Sequence, residues 1–219
     1  MPTIDQARAL IAQGRPRAAA RLLLAAGGGD ARAVLDSLPV EAPHGAVLAE
    51  RLRFGPPETW RGWRPGYGAV AIKLWPPGEA PPLLPPVSHP GVAPLLDQGD
   101  CWRVFAWIAG PTLAAVLRQQ PLEREVVVQI AEAIEALHRA GLAHGDLNPA
   151  NIVLRDGDGR AVLIDWGEDC AGTVGWCPEE PHDAMARDHF ALRRLRTLIA
   201  APPAGGRCAA ERRFPPALE

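Results

Sequence analysis

Lysine is almost absent from this chain. Of 23 basic residues in 219, 22 are Arg and one is Lys, Lys73. Asparagine is nearly as rare: only Asn148 and Asn151 occur. Four cysteines (Cys101, Cys170, Cys177, Cys208) are too few and too irregular for a disulfide framework, and no CxxC pair suggests zinc. A net charge of −2 lacks the basic field that non-specific nucleic-acid or membrane-surface binding requires. Apolar stretches such as 18–27 fall short of the roughly 18 residues of a spanning helix. The first residues carry an early acid and no apolar signal core, so the expectation is a soluble protein of a reducing, cytoplasmic compartment.

What is present is organised in three textures. Residues 1–41 read as a helical extension: Leu10, Ile11, Ala18, Ala19, Leu22 and Leu23 recur at helical spacing, broken at Gly14-Arg15-Pro16 and Gly27–Gly29. Asp30 is the expected cap of a third helix ending before Pro39. Residues 42–109 read as β-rich, with strands at 46–52, 58–63 and 68–75, then VAPLL and WRVFAWI separated by a turn over Asp97–Asp100. Seven prolines between Pro76 and Pro90 exclude a regular helix there. Residues 110–219 turn helical: a short helix over 112–119 and a long one over 122–140. The long one carries Val126, Ile130, Ile134 and Leu137 on one stripe, with Gly141 after it. A hairpin over 152–165, a helix over about 188–198 and a Pro/Gly-rich tail follow.

A chain that uses Arg wherever a cation will do, yet keeps one Lys on a strand, needs a compact ammonium there rather than a planar fork. Lys73 closes the run VAIK. After it come HGDLNPAN at 144–151, Asp165-Trp166-Gly167 at the end of an apolar strand, and Gly172-Thr173…Pro178-Glu179. Four such signals in order, each on a fitting element, resemble the protein-kinase-like superfamily, and within it a compact bacterial Ser/Thr-type protein kinase. The resemblance runs over residues 46–198.

It implies a two-lobed α+β fold, with a small β-rich N-lobe (42–109, including a hinge) and a minimal helical C-lobe (110–219) truncated after the Asp188 helix. The N-terminal helices either pack on the N-lobe or bind a partner. It implies ATP and Mg²⁺ as cofactors and transfer of the γ-phosphoryl group to a hydroxyl, most simply a protein Ser or Thr. Residue by residue, Lys73 holds the α/β-phosphates, Asp165 and Asn151 bind the metal, and Asp146 accepts or orients the acceptor hydroxyl. Phe105 stands at the gatekeeper position, with backbone groups of Ala106 and Ile108 facing adenine. His144 holds the Asp165 turn, Asp188 braces the catalytic-loop backbone, the Thr173 hydroxyl bonds Asp146, and Glu179 anchors an ion pair.

The chain also departs from the pattern. In place of a glycine-rich loop there are only Gly55, Pro56, Pro57 and Gly62, and the helix that supplies a glutamate to the lysine is replaced by the proline-rich stretch, whose one acid is Glu79. Gly145 stands where regulated kinases carry an arginine, and Asn148 where Ser/Thr kinases carry Lys. Three alternatives therefore stay open: a small-molecule kinase of the same fold, a pseudokinase acting as a binding module, and transfer of the nucleotide instead of the phosphoryl group.

Overall fold

The computed structural model describes residues 2–79, 82–121, 123–167, 172–178 and 183–200. Glu179, Cys170 and Cys208, each named above, lie outside the described residues, as do position 81 of the proline-rich stretch and position 122 of the expected long helix. The chain divides into two compact units, residues 1–87 with 93–107, and 88–92 with 108–219.

The first unit joins three helices to a five-stranded antiparallel sheet. The helices are α1 (Pro2–Ala12), α2 (Pro16–Ala26) and α3 (Gly29–Asp36). The strands are β1 (Val47–Arg53), β2 (Glu58–Arg64), β3 (Gly68–Leu74), β4 (Leu95–Gly99) and β5 (Trp102–Ala106), in the order β1-β2-β3-β5-β4. Pro16 opens α2, where its missing N–H costs nothing. Gly28, not Asp30, is the N-cap of α3, and Asp30 sits inside the first turn, where its charge suits the helix dipole. Ala19, Ala20 and Leu23 of α2 and Leu35 of α3 form one core with Val47, Ala49 and Trp63 of the sheet. Trp63 Nε1 donates to Asp36 Oδ1 at 2.8 Å, and Arg17 grips Glu41 through Nε and Nη2 at 3.0 and 2.7 Å. The helices thus pack on the sheet at the Val47–Trp63–Ala69 rung.

The opposite sheet face carries a second cluster: Leu48, Trp60, Val70, Ile72 and Val104. Close packing there makes Gly62 obligatory. A Cβ on it would lie 2.5 Å from the Val47 carbonyl oxygen and 2.6 Å from Ile72 Cδ1. Gly62→Ala is therefore expected to cost about 2 kcal/mol through overpacking, measured by chemical denaturation. The β4–β5 turn differs from expectation. Asp97, Gln98 and Gly99 belong to β4, and only Asp100 and Cys101 lie in the turn. The cause is tertiary: Asp97 accepts from Arg64, and the Gln98 side chain bonds the backbone of Leu84, which draws turn-type residues into a strand.

The second unit holds α4 (Leu113–Leu117), α5 (Arg124–Arg139), the hairpin β6 (Ile152–Leu154) with β7 (Ala161–Leu163), and α6 (Ala184–Ala200). Thr112 caps α4 by accepting from the Ala115 amide. α5 buries Val127, Ile130, Ala133, Ile134 and Leu137, so Val127 takes the inward position expected of Val126. Gly141 ends α5 at φ +74°, with its amide bonded to the His138 carbonyl and the Leu142 amide to that of Leu137, the Schellman arrangement. His89 Nδ1 accepts from the Gly91 amide, and burial pushes its imidazole below the usual histidine range. Among the described residues no helix is long and apolar enough to cross a membrane.

Candidate active site

Alternation along β3 decides which residues share a face. Val70 and Ile72 turn into the second cluster, so Ala71 and Lys73 turn the other way. Register then places Thr59, Lys73, Arg103 and Gln98 on one rung, and Ala71 beside Phe105 on the next. Lys73 is 3% exposed, and its Nζ lies 5.7 Å from the centroid of the buried Phe105 ring. A buried ammonium against an aromatic face is a charge kept in a fixed place.

The same rung explains how a proline-rich stretch replaces a helix. Proline carbonyls have no helical partner and need donors. Arg103, itself buried, donates Nη2 to the Pro82 carbonyl at 2.6 Å. Gln98 both donates to Leu84 O at 2.8 Å and accepts from Leu84 N at 2.9 Å. Glu79 is exposed and, among the described residues, forms no ion pair. At the strand exit, the Ala106 amide donates to Pro94 O and the Trp107 amide to Ala69 O. The Ala106 amide is therefore already committed to a partner within the first unit. Ile108, the first residue of its stretch in the second unit, makes no backbone hydrogen bond among the described residues.

In the second unit the loop after α5 is fixed at two levels. Asp188 is fully buried and accepts from the amides of His144 (2.8 Å, Oδ2) and Gly145 (2.9 Å, Oδ1), with His138 Nε2 at 3.0 Å from Oδ2. α6 starts at Ala184, a turn earlier than its expected start at 188, so Asp188 reaches the loop from inside the helix rather than from its first residue. His144 is itself fully buried.

One step on, Asp146 is held at three atoms. Its Oδ1 accepts from the Thr173 amide at 2.7 Å, and its Oδ2 from Asn151 Nδ2 at 3.2 Å. Its main-chain oxygen accepts from Asn151 Nδ2 at 2.9 Å and Asn148 Nδ2 at 3.1 Å. Both asparagines of the chain thus point an amide hydrogen at one carbonyl. Asn148 also caps the 3₁₀ turn Pro149–Asn151 by accepting from Ala150 N, and donates to Thr173 Oγ1. The Thr173 contact with Asp146 runs through the backbone amide, whereas its hydroxyl faces Asn148.

The β6–β7 pairing sets Asn151, just before β6, beside the segment leaving β7, and the Ile164 amide bonds Asn151 O at 3.0 Å. Asp165 follows at φ +63°, the only non-glycine residue in the left-handed region among the described residues. Such a conformation is strained for a side chain, and strain of this kind gathers at working sites. The donor set suits a hard cation. With Asn151 Nδ2 committed to Asp146, its Oδ1 turns away with no hydrogen bond among the described residues, and Asp165 adds a carboxylate. Among the described residues no group of three His, Cys, Asp or Glu gathers. A Mg²⁺ held here would draw its remaining oxygens from water and phosphate, as that ion commonly does.

Comparison with known proteins meets this geometry from two sides. Residues 111–169 match the model of the lipopolysaccharide kinase (Kdo/WaaP) family. A serine/threonine-protein kinase of Nostoc sp., PknA, is 37% identical over 78 residues, 32% of this chain and 14% of that protein. The KEOPS complex subunit Bud32 of Pyrococcus abyssi is 36% identical over 74 residues, 33% of each chain. The kinase domain of Mycobacterium tuberculosis PknI superposes with a TM-score of 0.53 at 24% identity, covering 71% of this chain and 74% of that one. The chain belongs to the protein-kinase-like superfamily. Its α+β fold is that of the superfamily's kinase domains. The matched stretch spans only part of these relatives, 14% of PknA and 33% of Bud32. Against the superfamily pattern, no local motif marks Arg103, Gln98 or His138. Only register and the fold reveal them.

Proposed function

We propose that the chain transfers the γ-phosphoryl group of Mg·ATP to a hydroxyl, with a protein Ser or Thr as acceptor. The observation that carries this reading is Asp146, a carboxylate fixed by the Thr173 amide and by Asn151, whose own oxygen stays open. Phosphoryl transfer passes through a loose transition state, so the protein contributes position and charge rather than covalent chemistry. In this reading the first unit is the N-lobe and the second the C-lobe. Lys73 holds the α/β-phosphates as a point cation. Phe105 and the backbone groups of Ala106 and Ile108 receive the base. Asn151 and Asp165 hold Mg²⁺, which when bound neutralises charge on the phosphate oxygens. Asp146 accepts the hydroxyl proton, on Oδ2, the less tightly held of its oxygens (3.2 Å from Asn151 Nδ2, against 2.7 Å between Oδ1 and the Thr173 amide).

The protein acceptor is supported by relatives named as Ser/Thr kinases and by Gly172–Trp176, which resembles the segment following DFG in protein kinases. A second reading, a small-molecule hydroxyl, is favoured by the lipopolysaccharide kinase match and by Asn148. That residue serves as a cap and a brace, where Ser/Thr kinases place a lysine. The test is incubation with ATP labelled at the γ or, separately, the α phosphorus, offering Ser/Thr protein and glycolipid acceptors in parallel. γ-label on protein is expected. γ-label on the glycolipid alone selects the second reading, α-label selects nucleotide transfer, and no label with either selects a binding module.

A further inference from the structure

Gly145 occupies the position where the resemblance puts an arginine, yet an arginine reaches that place from elsewhere. Arg187 of α6 donates Nε to the Gly145 carbonyl at 3.2 Å. Its aliphatic stem runs beside Gly172: a Cβ on that glycine would lie 3.6 Å from Arg187 Cδ. About two turns further along the same helix face (~3.6 residues per turn), Arg194 lies over the buried Trp176 ring, 5.2 Å from its centroid. Both Nη atoms of Arg194 also come within 3.9 Å of the Cβ position of Gly175. The stretch 172–176 is therefore met by one α6 arginine at each end. Between those ends stands Thr173, whose amide holds Asp146 and whose hydroxyl meets Asn148.

We propose that Arg187 and Arg194 are positioning residues that hold segment 172–176, and through the Thr173 amide Asp146, in its working arrangement without phosphorylation of the segment. This rests on the phosphotransferase reading. In switched kinases the corresponding order comes from new arginine contacts to a phosphorylated side chain. Here the cations meet groups that are permanently present: a carbonyl and an indole face. Gly172 and Gly175, at φ +78° and +79°, lie beside the Arg187 stem and the Arg194 guanidinium respectively. The glycine at 145 fits the same logic, because the loop that Arg187 reaches from outside needs no arginine of its own.

The test uses the full chain as wild type, as the Arg187→Met/Arg194→Met double variant, and as Arg194→Lys, which retains a cation over Trp176. The first measurement, independent of activity, is amide hydrogen exchange of the 172–178 segment without nucleotide. Exchange roughly tenfold faster in the double variant, with Arg194→Lys close to wild type, is the expected result. The second is γ-label transfer after exhaustive phosphatase treatment. Wild type is expected to keep its activity, and the double variant to lose roughly tenfold in kcat with KM for ATP unchanged. Unchanged exchange in the double variant overturns the proposal, as does a wild type silenced by phosphatase. Should the double variant not fold, the exposed Arg194→Met alone supplies both readouts. A wild type that transfers no label even before phosphatase sinks the phosphotransferase reading instead, and the exchange measurement still decides whether the arginines hold the segment.

Discussion

Asp146→Asn is expected to lower phosphoryl transfer by about 10²–10⁴-fold while leaving ATP affinity near that of the wild type. The two side chains have the same shape, so the loop should keep its path, but the amide cannot satisfy both neighbours. With its oxygen toward the Thr173 amide, its NH₂ meets the Nδ2 of Asn151, donor against donor. Flipped, it meets the Thr173 N–H in the same way. One hydrogen bond is lost in either orientation, worth about 1 kcal/mol, so the fold survives. The proton acceptor does not. Steady-state kinetics separate the effects: a fall in kcat with KM for ATP unchanged supports the assigned role, whereas a rise in KM alone would move Asp146 from the chemistry to nucleotide binding.

How much of this was legible beforehand depends on whether the signal is local. Lys73 could be read from its rarity and from the VAIK run, and the loop 144–151 from the clustering of two asparagines around one aspartate, because each lies within a few residues of its partners. The strands β1, β2 and β3 and the breaks between α1, α2 and α3 follow from period and punctuation alone. What failed did so where distant parts of the chain act. Asp97 and Gln98 have turn chemistry, and Arg64 and Leu84 hold them in a strand. Among its described residues the proline-rich stretch holds no helix, as its prolines require, but only strand register shows that Arg103 and Gln98 fasten it beside Lys73. Thr173 meets Asp146 through its amide and not through the expected hydroxyl, since choosing between the two requires the path of the backbone. The arginines at 187 and 194 are invisible among 22, because composition says nothing about which of them faces a carbonyl.

Asp188→Ala is expected to be the most destabilising single change in the second unit. Its carboxylate is fully buried and accepts two backbone amides, with a histidine nitrogen in reach of the same oxygen. Alanine would leave the amides of His144 and Gly145 buried without acceptors, at about 1–3 kcal/mol each. A total near 4 kcal/mol shifts Tm by roughly 10 °C in a protein of this size. Because those amides immediately precede Asp146, the chemistry should fail with the fold, even below the new Tm. Asp188→Asn should fall between: it keeps one acceptor for the amide of Gly145 or His144 and turns a donor toward the other. Calorimetry on both variants decides. An alanine variant melting within about 2 °C of wild type, a shift smaller than one unsatisfied amide predicts, would mean that Asp188 is not what holds the loop.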